Sequence, residues 1–175
     1  MGRYRVLEKH TPHFITSTIQ KWEPVFMDPN IAQIMLDALA FVQQQKRLTL
    51  YAYVIMENHI HLVANAPELS REIGALKSFT ARRILDCLQE NKAPYLRRFR
   101  ADGDKRRGRT INQLWQPGYH PQALFTDAMM AQKIDYIHHN PVRRGYVDEA
   151  WQWRYSSARD YDGTEGLIPV TTDWG

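Results

Sequence analysis

Cysteine is almost absent: Cys87 stands alone in 175 residues. A single thiol excludes an internal disulfide framework and any cysteine-based zinc knuckle. Long apolar runs are missing too, and none approaches the roughly 18 residues that cross a bilayer, so no membrane association is expected. The opening stretch MGRYRVLEKHTPHF has no apolar segment of the signal-peptide kind. Val6 stands where a myristoylation signal needs Ser or Thr. The setting expected from these absences is reducing and cytoplasmic. Excess charge of one sign is slight, 23 Lys+Arg against 19 Asp+Glu, a net +4. That balance favours a polyanionic partner only weakly. What is present is a globular composition, 43% hydrophobic and 24% charged, which excludes wholesale disorder. The length suits one domain, residues 1–175.

Residues 13–20, HFITSTIQ, read as a strand from their β-branched and aromatic content. Asp28-Pro29 reads as an N-cap with proline in the first turn. Ile31, Met35, Ala38, Leu39 and Val42 then recur at helical spacing, predicting a helix over 29–46. LTLYAYVIM (48–56) is the strongest strand. HIHLVAN (59–65) follows it so closely that the two should pair antiparallel. Glu57-Asn58 between them is either a tight turn or a bulge. Pro67 ends the pair, and 68–90 reads as a helix.

Residues 92–110 carry Arg97, Arg98, Arg100, Lys105, Arg106, Arg107 and Arg109 with little apolar content. A mobile basic loop is expected there. Leu114-Trp115 and Ala123-Leu124-Phe125 are candidates for a further strand. Thr126 or Asp127 caps a last helix, which Pro141 is expected to stop near Asn140. From about 142 the tail reads as irregular, with Trp151, Trp153 and Tyr155 as anchors. The order strand, helix, hairpin, helix, strand, helix suits an α+β fold, a ferredoxin-like antiparallel sheet with helices packed on it.

Two groups of residues can carry chemistry. His59 and His61 flank Ile60 on a strand, so both imidazoles face one side and can chelate a divalent ion. An H-x-H pair also arises by chance at a strand start. Tyr136 and Asn140 lie four apart on the last helix and share a face. A phenol is a possible nucleophile and a carboxamide oxygen a possible metal ligand; packing and helix capping are the plainer alternatives. His138 and His139 read as exposed helix-end residues, with one of them facing the site as the alternative, and His120 as either a site neighbour or surface. Tyr95, Phe99 and Trp115 either stack on unpaired bases or anchor the core.

MENHIHLV (56–63) and DYIHHNPVRRGYV (135–147) together resemble the single-tyrosine HUH transposases. The Asn-Pro-Val-Arg after the tyrosine, with WQPGYH (115–120) and EAWQWRYSSA (149–158), is most similar to the REP-associated tyrosine transposases of bacteria. The resemblance runs from about His13 to Tyr161. It implies that His59, His61 and Asn140 bind a divalent metal, Mg²⁺ or Mn²⁺, and that Tyr136 is the nucleophile. Insertion-sequence relatives more often carry glutamine where Asn140 stands, a departure that agrees with the REP-associated branch.

The implied reaction is metal-dependent cleavage and transfer of single-stranded or hairpin DNA across the sheet face, through a 5′-phosphotyrosine. A DNA-hairpin-binding descendant that does not cut is the alternative. A phosphodiesterase using water in place of Tyr136 is a third. The implied setting is bacterial and nucleoid-associated, as a monomer or homodimer. Candidate DNA contacts are Lys77, Arg82 and Arg83 on the second helix, Arg97, Arg98, Arg100, Arg106 and Arg107 in the basic loop, and Arg143 and Arg144 after the last helix. A solvated charged surface is the plainer reading of such clusters.

Overall fold

The computed structural model describes residues 11–91, 93–99, 113–118 and 121–174. Strand β1 (His13–Thr18) leads to helix α1 (Pro29–Gln44), then the hairpin β2 (Thr49–Ile55) and β3 (His59–Asn65). Helix α2 (Leu69–Asn91), the two-residue strand β4 (Gln122–Ala123) and helix α3 (Asp127–His138) follow. The sheet order is β2-β3-β1-β4 with antiparallel pairings throughout. The chain is thus α+β with a ferredoxin-like antiparallel sheet, as the element order implies.

Alternation along the strands sorts the sheet into two faces. Ile15, Tyr53, Ile55, Ile60 and Leu62 join Met35, Leu39, Ile73 and Leu76 of α1 and α2 in the main core. Val54, Met56 and Val63 join Met130, Ile134 and Ile137 of α3 on the opposite face. Helix α3 therefore covers part of the face on which DNA is expected to lie. Glu57-Asn58 is a turn, closed by the Met56 N–H donating to the His59 carbonyl at 2.9 Å. The bulge lies instead between Leu50 and Ala52. It lets Leu50 and Tyr53 both enter the main core, against strict alternation.

The N-cap reading holds at α1, where the Asp28 side chain accepts from the Asn30 N–H at 3.0 Å. Asp28→Ala should cost about 1 kcal/mol in urea unfolding, because an orphan helix donor loses its acceptor. At α3 the cap is Thr126, accepting from the Met129 N–H at 3.2 Å.

Three expectations change. Pro141 does not stop the chain's helical course. His139 (φ −83°, ψ 0°) breaks α3, and Asn140–Arg143 form one further helical turn, α4, in whose first turn Pro141 lies. A proline there forfeits no intrahelical donor. Gly145 ends the turn at φ +72°, its N–H on the Val142 carbonyl at 2.8 Å and the Tyr146 N–H on Pro141 at 3.0 Å.

The basic loop expected over 92–110 begins instead as a 3-10 helix, Ala93–Phe99, because Leu96 and Phe99 are buried. The tail, expected to be irregular, holds a 3-10 turn (Ala150–Gln152) and a short helix (Ala158–Tyr161) and is fastened along β2. The Ile55 N–H donates to Tyr155, Ser157 to the Tyr53 carbonyl, and Thr171 to the Leu50 carbonyl, at 2.8, 3.0 and 2.9 Å. These bonds satisfy an edge strand that would otherwise be free to pair with another chain. Trp153 anchors the tail through its Nε1 to the Ile55 carbonyl at 3.1 Å, whereas Trp151 is exposed. No helix among the described residues is long and apolar enough to cross a membrane.

Candidate active site

Strand β3 opens with His59, and both His59 and His61 are about 5% exposed, with ring centroids 4.7 Å apart. Each has its Nδ1 engaged. Asn58 donates through Nδ2 to the Trp22 carbonyl at 3.3 Å, which turns its Oδ1 toward His59 Nδ1 at 2.7 Å. An amide oxygen only accepts, so Nδ1 carries the hydrogen and Nε2 keeps its lone pair. His61 Nδ1 lies 2.8 Å from Thr16 Oγ1, its register partner on β1. Orienting contacts of this kind fix imidazole metal ligands. Asn58 precedes His59 directly and was legible in principle. Thr16 required the register.

Tyr136 stands on α3, 40% exposed, and its ring centroid lies 5.5 Å from that of His61 in the same chain. Phe14 of β1 completes the group, stacked on His61 at 5.3 Å and edge-on to Tyr136 at 5.7 Å. Two cations lie over the phenol ring, Arg143 Cζ at 4.5 Å and Lys133 Nζ at 5.7 Å from its centroid. Arg143 Nη2 also donates to the Tyr136 carbonyl at 2.6 Å. Asn140 is buried at the start of α4, one broken turn beyond Tyr136.

Burial drives the electrostatics. The His61 imidazole is pushed down to about 3, by desolvation first and then by the charges of His59, Arg143 and Lys133. His59 also lies below its usual value, through desolvation, with Glu57 opposing and Arg144 assisting. Both rings are therefore neutral at pH 7, the form that offers a lone pair to a metal. Glu57 is 9% exposed, its Oε1 is 3.7 Å from Arg144 Nη1, and its Oε2 is buried without a hydrogen-bond partner among the described residues. Its negative charge suits a cation beside His59. Among the described residues no three His, Cys, Asp or Glu gather as a metal cage. Two neutral imidazoles on one face of β3 offer donors that suit a divalent ion, and Asn140, buried at the start of α4, carries a carboxamide of the same compatible chemistry.

The family model described as "Transposase IS200 like" matches residues 6–140. The chain belongs to that family. A Haemophilus influenzae protein assigned as a REP-associated tyrosine transposase is 32% identical over 129 residues, 71% of this chain and 65% of the relative. The chain thus spans just under two thirds of that relative's length. The Escherichia coli REP-associated tyrosine transposase is 25% identical over 142 residues, 81% of this chain and 72% of its own length. The solved structure of a REP-associated tyrosine transposase bound to a REP hairpin superposes with a TM-score of 0.68 at 19% identity, covering all of this chain and 92% of that one. It shares the fold.

The basic residues divide by location. Arg143 and Arg144 adjoin the site. Arg82 and Arg83 are exposed on α2, in the helix layer behind the sheet. Lys77 is occupied, its Nζ donating to the Gln116 and Gly118 carbonyls at 3.2 and 3.0 Å and lying 5.9 Å from the Trp115 ring centroid. It holds the segment that carries Trp115. Arg98 pairs with Glu23 at 2.9 Å, and Arg97 is exposed. Arg100, Arg106, Arg107 and His120 lie outside the described residues.

Two aromatics are core. Phe99 is 1% exposed, and Trp115 is buried with its Nε1 on Thr80 Oγ1 at 3.2 Å. Tyr95 donates its hydroxyl to Glu23 at 2.7 Å. Lys133 and Phe14 were missed in the sequence. Lys133 was findable as the residue three before Tyr136 on the same helix.

His138 corrects the expectation of an exposed helix end. It is buried, its Nε2 lies 2.9 Å from Ser157 Oγ, and its ring centroid is 5.0 Å from that of Tyr161. It faces the C-terminal tail. His139 is the exposed one, paired with Asp135 at 2.9 Å. Burial pushes His138 down to about 4 from 6.5. The unfolded chain then binds a proton that the folded one refuses between these values. Stability is complete above pH 6.5 and falls by about 3 kcal/mol as pH drops toward 4. Urea midpoints measured across that window should fall, and His138→Gln should flatten the slope.

Proposed function

We propose that this chain is a metal-dependent strand transferase acting on single-stranded or hairpin DNA, with Tyr136 as nucleophile. The observation that carries this reading is the phenol ring 5.5 Å from the His61 ring within one chain. The structural neighbour bound to a REP hairpin supports hairpin DNA as the partner class. His59, His61 and Asn140 would hold the divalent ion, Mg²⁺ or Mn²⁺, which supplies Lewis acidity at a phosphoryl oxygen.

The protein's own contribution is positional. Asn58 and Thr16 fix the imidazoles, while Phe14 and Arg143 fix the phenol. Attack by Tyr136 Oη on phosphorus forms the P–O bond to the phenol and breaks the bond to the 3′ oxygen. The products are a 5′-phosphotyrosine and a free 3′-OH, and the reverse step rejoins a strand. Phosphodiester energy is conserved in the covalent link, so no nucleotide hydrolysis is needed. The exposed cationic groups Arg143 and Arg144 and the half-exposed phenol open the site to solvent at this edge of the sheet.

The test is a labelled hairpin oligonucleotide with a single-stranded flank, incubated with Mn²⁺ and run on a denaturing gel. A covalent adduct is expected. Binding without an adduct would favour the non-cutting descendant, and cleavage that survives Tyr136→Phe would assign the attack to water.

A further inference from the structure

We propose that Lys133 and Arg143 form a preassembled phosphate clamp beside the Tyr136 ring, holding the phosphodiester that the phenol attacks. The proposal rests on the strand-transfer reading for its ligand, but the clamp itself is testable without DNA. Lys133 lies three residues before Tyr136 on α3, and Arg143 seven residues after it in α4. Helical spacing brings the first to the phenol, and the break at His139 brings the second. Lys133 Nζ sits 4.7 Å from the Phe14 centroid and 5.7 Å from that of Tyr136. Arg143 Cζ sits 4.5 Å from the same phenol ring.

Several arginines among the described residues have carboxylate partners. Arg47 pairs with Glu72, Arg71 with Glu68, Arg98 with Glu23 and Arg144 with Glu57. Lys133 and Arg143 pair with no carboxylate among the described residues. Asp135, the nearest carboxylate in sequence, is taken by His139. Among the described residues Arg143 donates to the Tyr136 carbonyl alone, which leaves further donors of its fork for an anion.

Lys133 is only half exposed, so its charge is partly removed from water without a counter-ion. Contacts to ring faces return only a fraction of that loss. Two like charges over one ring also repel each other. A single anion between them removes both costs. A phosphate fits the pair chemically, because the guanidinium fork binds two of its oxygens and the ammonium meets a third. His61 lies within the field of both cations, which contribute to its lowered proton affinity. The clamp therefore shares the imidazole–phenol centre.

Inorganic phosphate is the probe. Titrated into the protein, it should bind saturably in the millimolar range and shift the ring resonances of Phe14 and Tyr136. Lys133→Met should abolish that shift and Lys133→Arg restore it, with unchanged melting temperatures showing that the fold is intact. In a Tyr136→Phe background, which cannot form the adduct, Lys133→Met should weaken binding of a labelled single-stranded oligonucleotide roughly fivefold. It should also lower the salt slope by about one unit. Wild-type protein whose Phe14 and Tyr136 signals ignore phosphate, or a Lys133→Met variant with an unaltered slope, would overturn the clamp. Failure of strand transfer alone appears differently: phosphate binds at these rings while no DNA adduct forms.

Discussion

Tyr136→Phe is expected to abolish the covalent protein–DNA adduct while hairpin affinity stays within about twofold of wild type. The substitution removes one oxygen and nothing else. The ring keeps its edge contacts to Phe14 and His61, and the cations Lys133 and Arg143 retain an aromatic face. The side chain is 40% exposed, so stability should change by less than about 0.5 kcal/mol. The lost oxygen is the nucleophile of the proposed reaction, and removing such an atom lowers rates by roughly 10³-fold or more. Denaturing gels read the adduct, and fluorescence anisotropy reads the affinity. An adduct in the variant, or an equal loss of binding, would place the chemistry elsewhere.

His61→Ala has the second largest expected effect. His61 is buried, neutral, stacked on Phe14 and bonded to Thr16 through Nδ1, so its ring is held in place and Nε2 is the nitrogen left to face a metal. Lewis-acid assistance is worth several kcal/mol, so losing a ligand should slow adduct formation by about 10²–10⁴-fold. Mn²⁺ affinity, read by calorimetry, should fall in parallel. Removing a buried ring also leaves a cavity, so His61→Gln serves as a second variant that keeps volume and hydrogen-bonding capacity. Thr16→Ala should show a milder version, roughly 10–100-fold in metal affinity, because it frees the ring without removing the donor. Activity and Mn²⁺ binding that both survive in His61→Ala would remove the histidine pair from the mechanism.

Local signals carried much of the fold. Asp28-Pro29 announced α1 because capping is a short-range hydrogen bond. The β2–β3 hairpin followed from two strong strands separated by two residues. Pro141 misled because a proline that ends one helix has the same local chemistry as a proline that begins another. The choice between them depended on the break at His139. Leu96 and Phe99 looked like loop residues amid arginines until the core beneath them was known. The tail read as irregular because its bonds go to β2, some hundred residues earlier in the chain.

At the site, alternation alone gave the shared face of His59 and His61, since a period of two is a property of any strand. The motif pair, HIH and the Tyr-to-Asn segment, resembled the family to which the chain belongs. The sequence therefore put forward His59, His61 and Asn140 as candidate donors and Tyr136 as the candidate nucleophile. The tertiary structure decided their partners: Thr16 beside His61, Asn58 beside His59, and Phe14 and Lys133 against Tyr136. It also turned His138 inward to Ser157 and set Lys77 to holding a loop. The physical reason is range. Periodicity and capping act over a few residues, whereas burial, register and unpaired charge exist only once distant segments pack together.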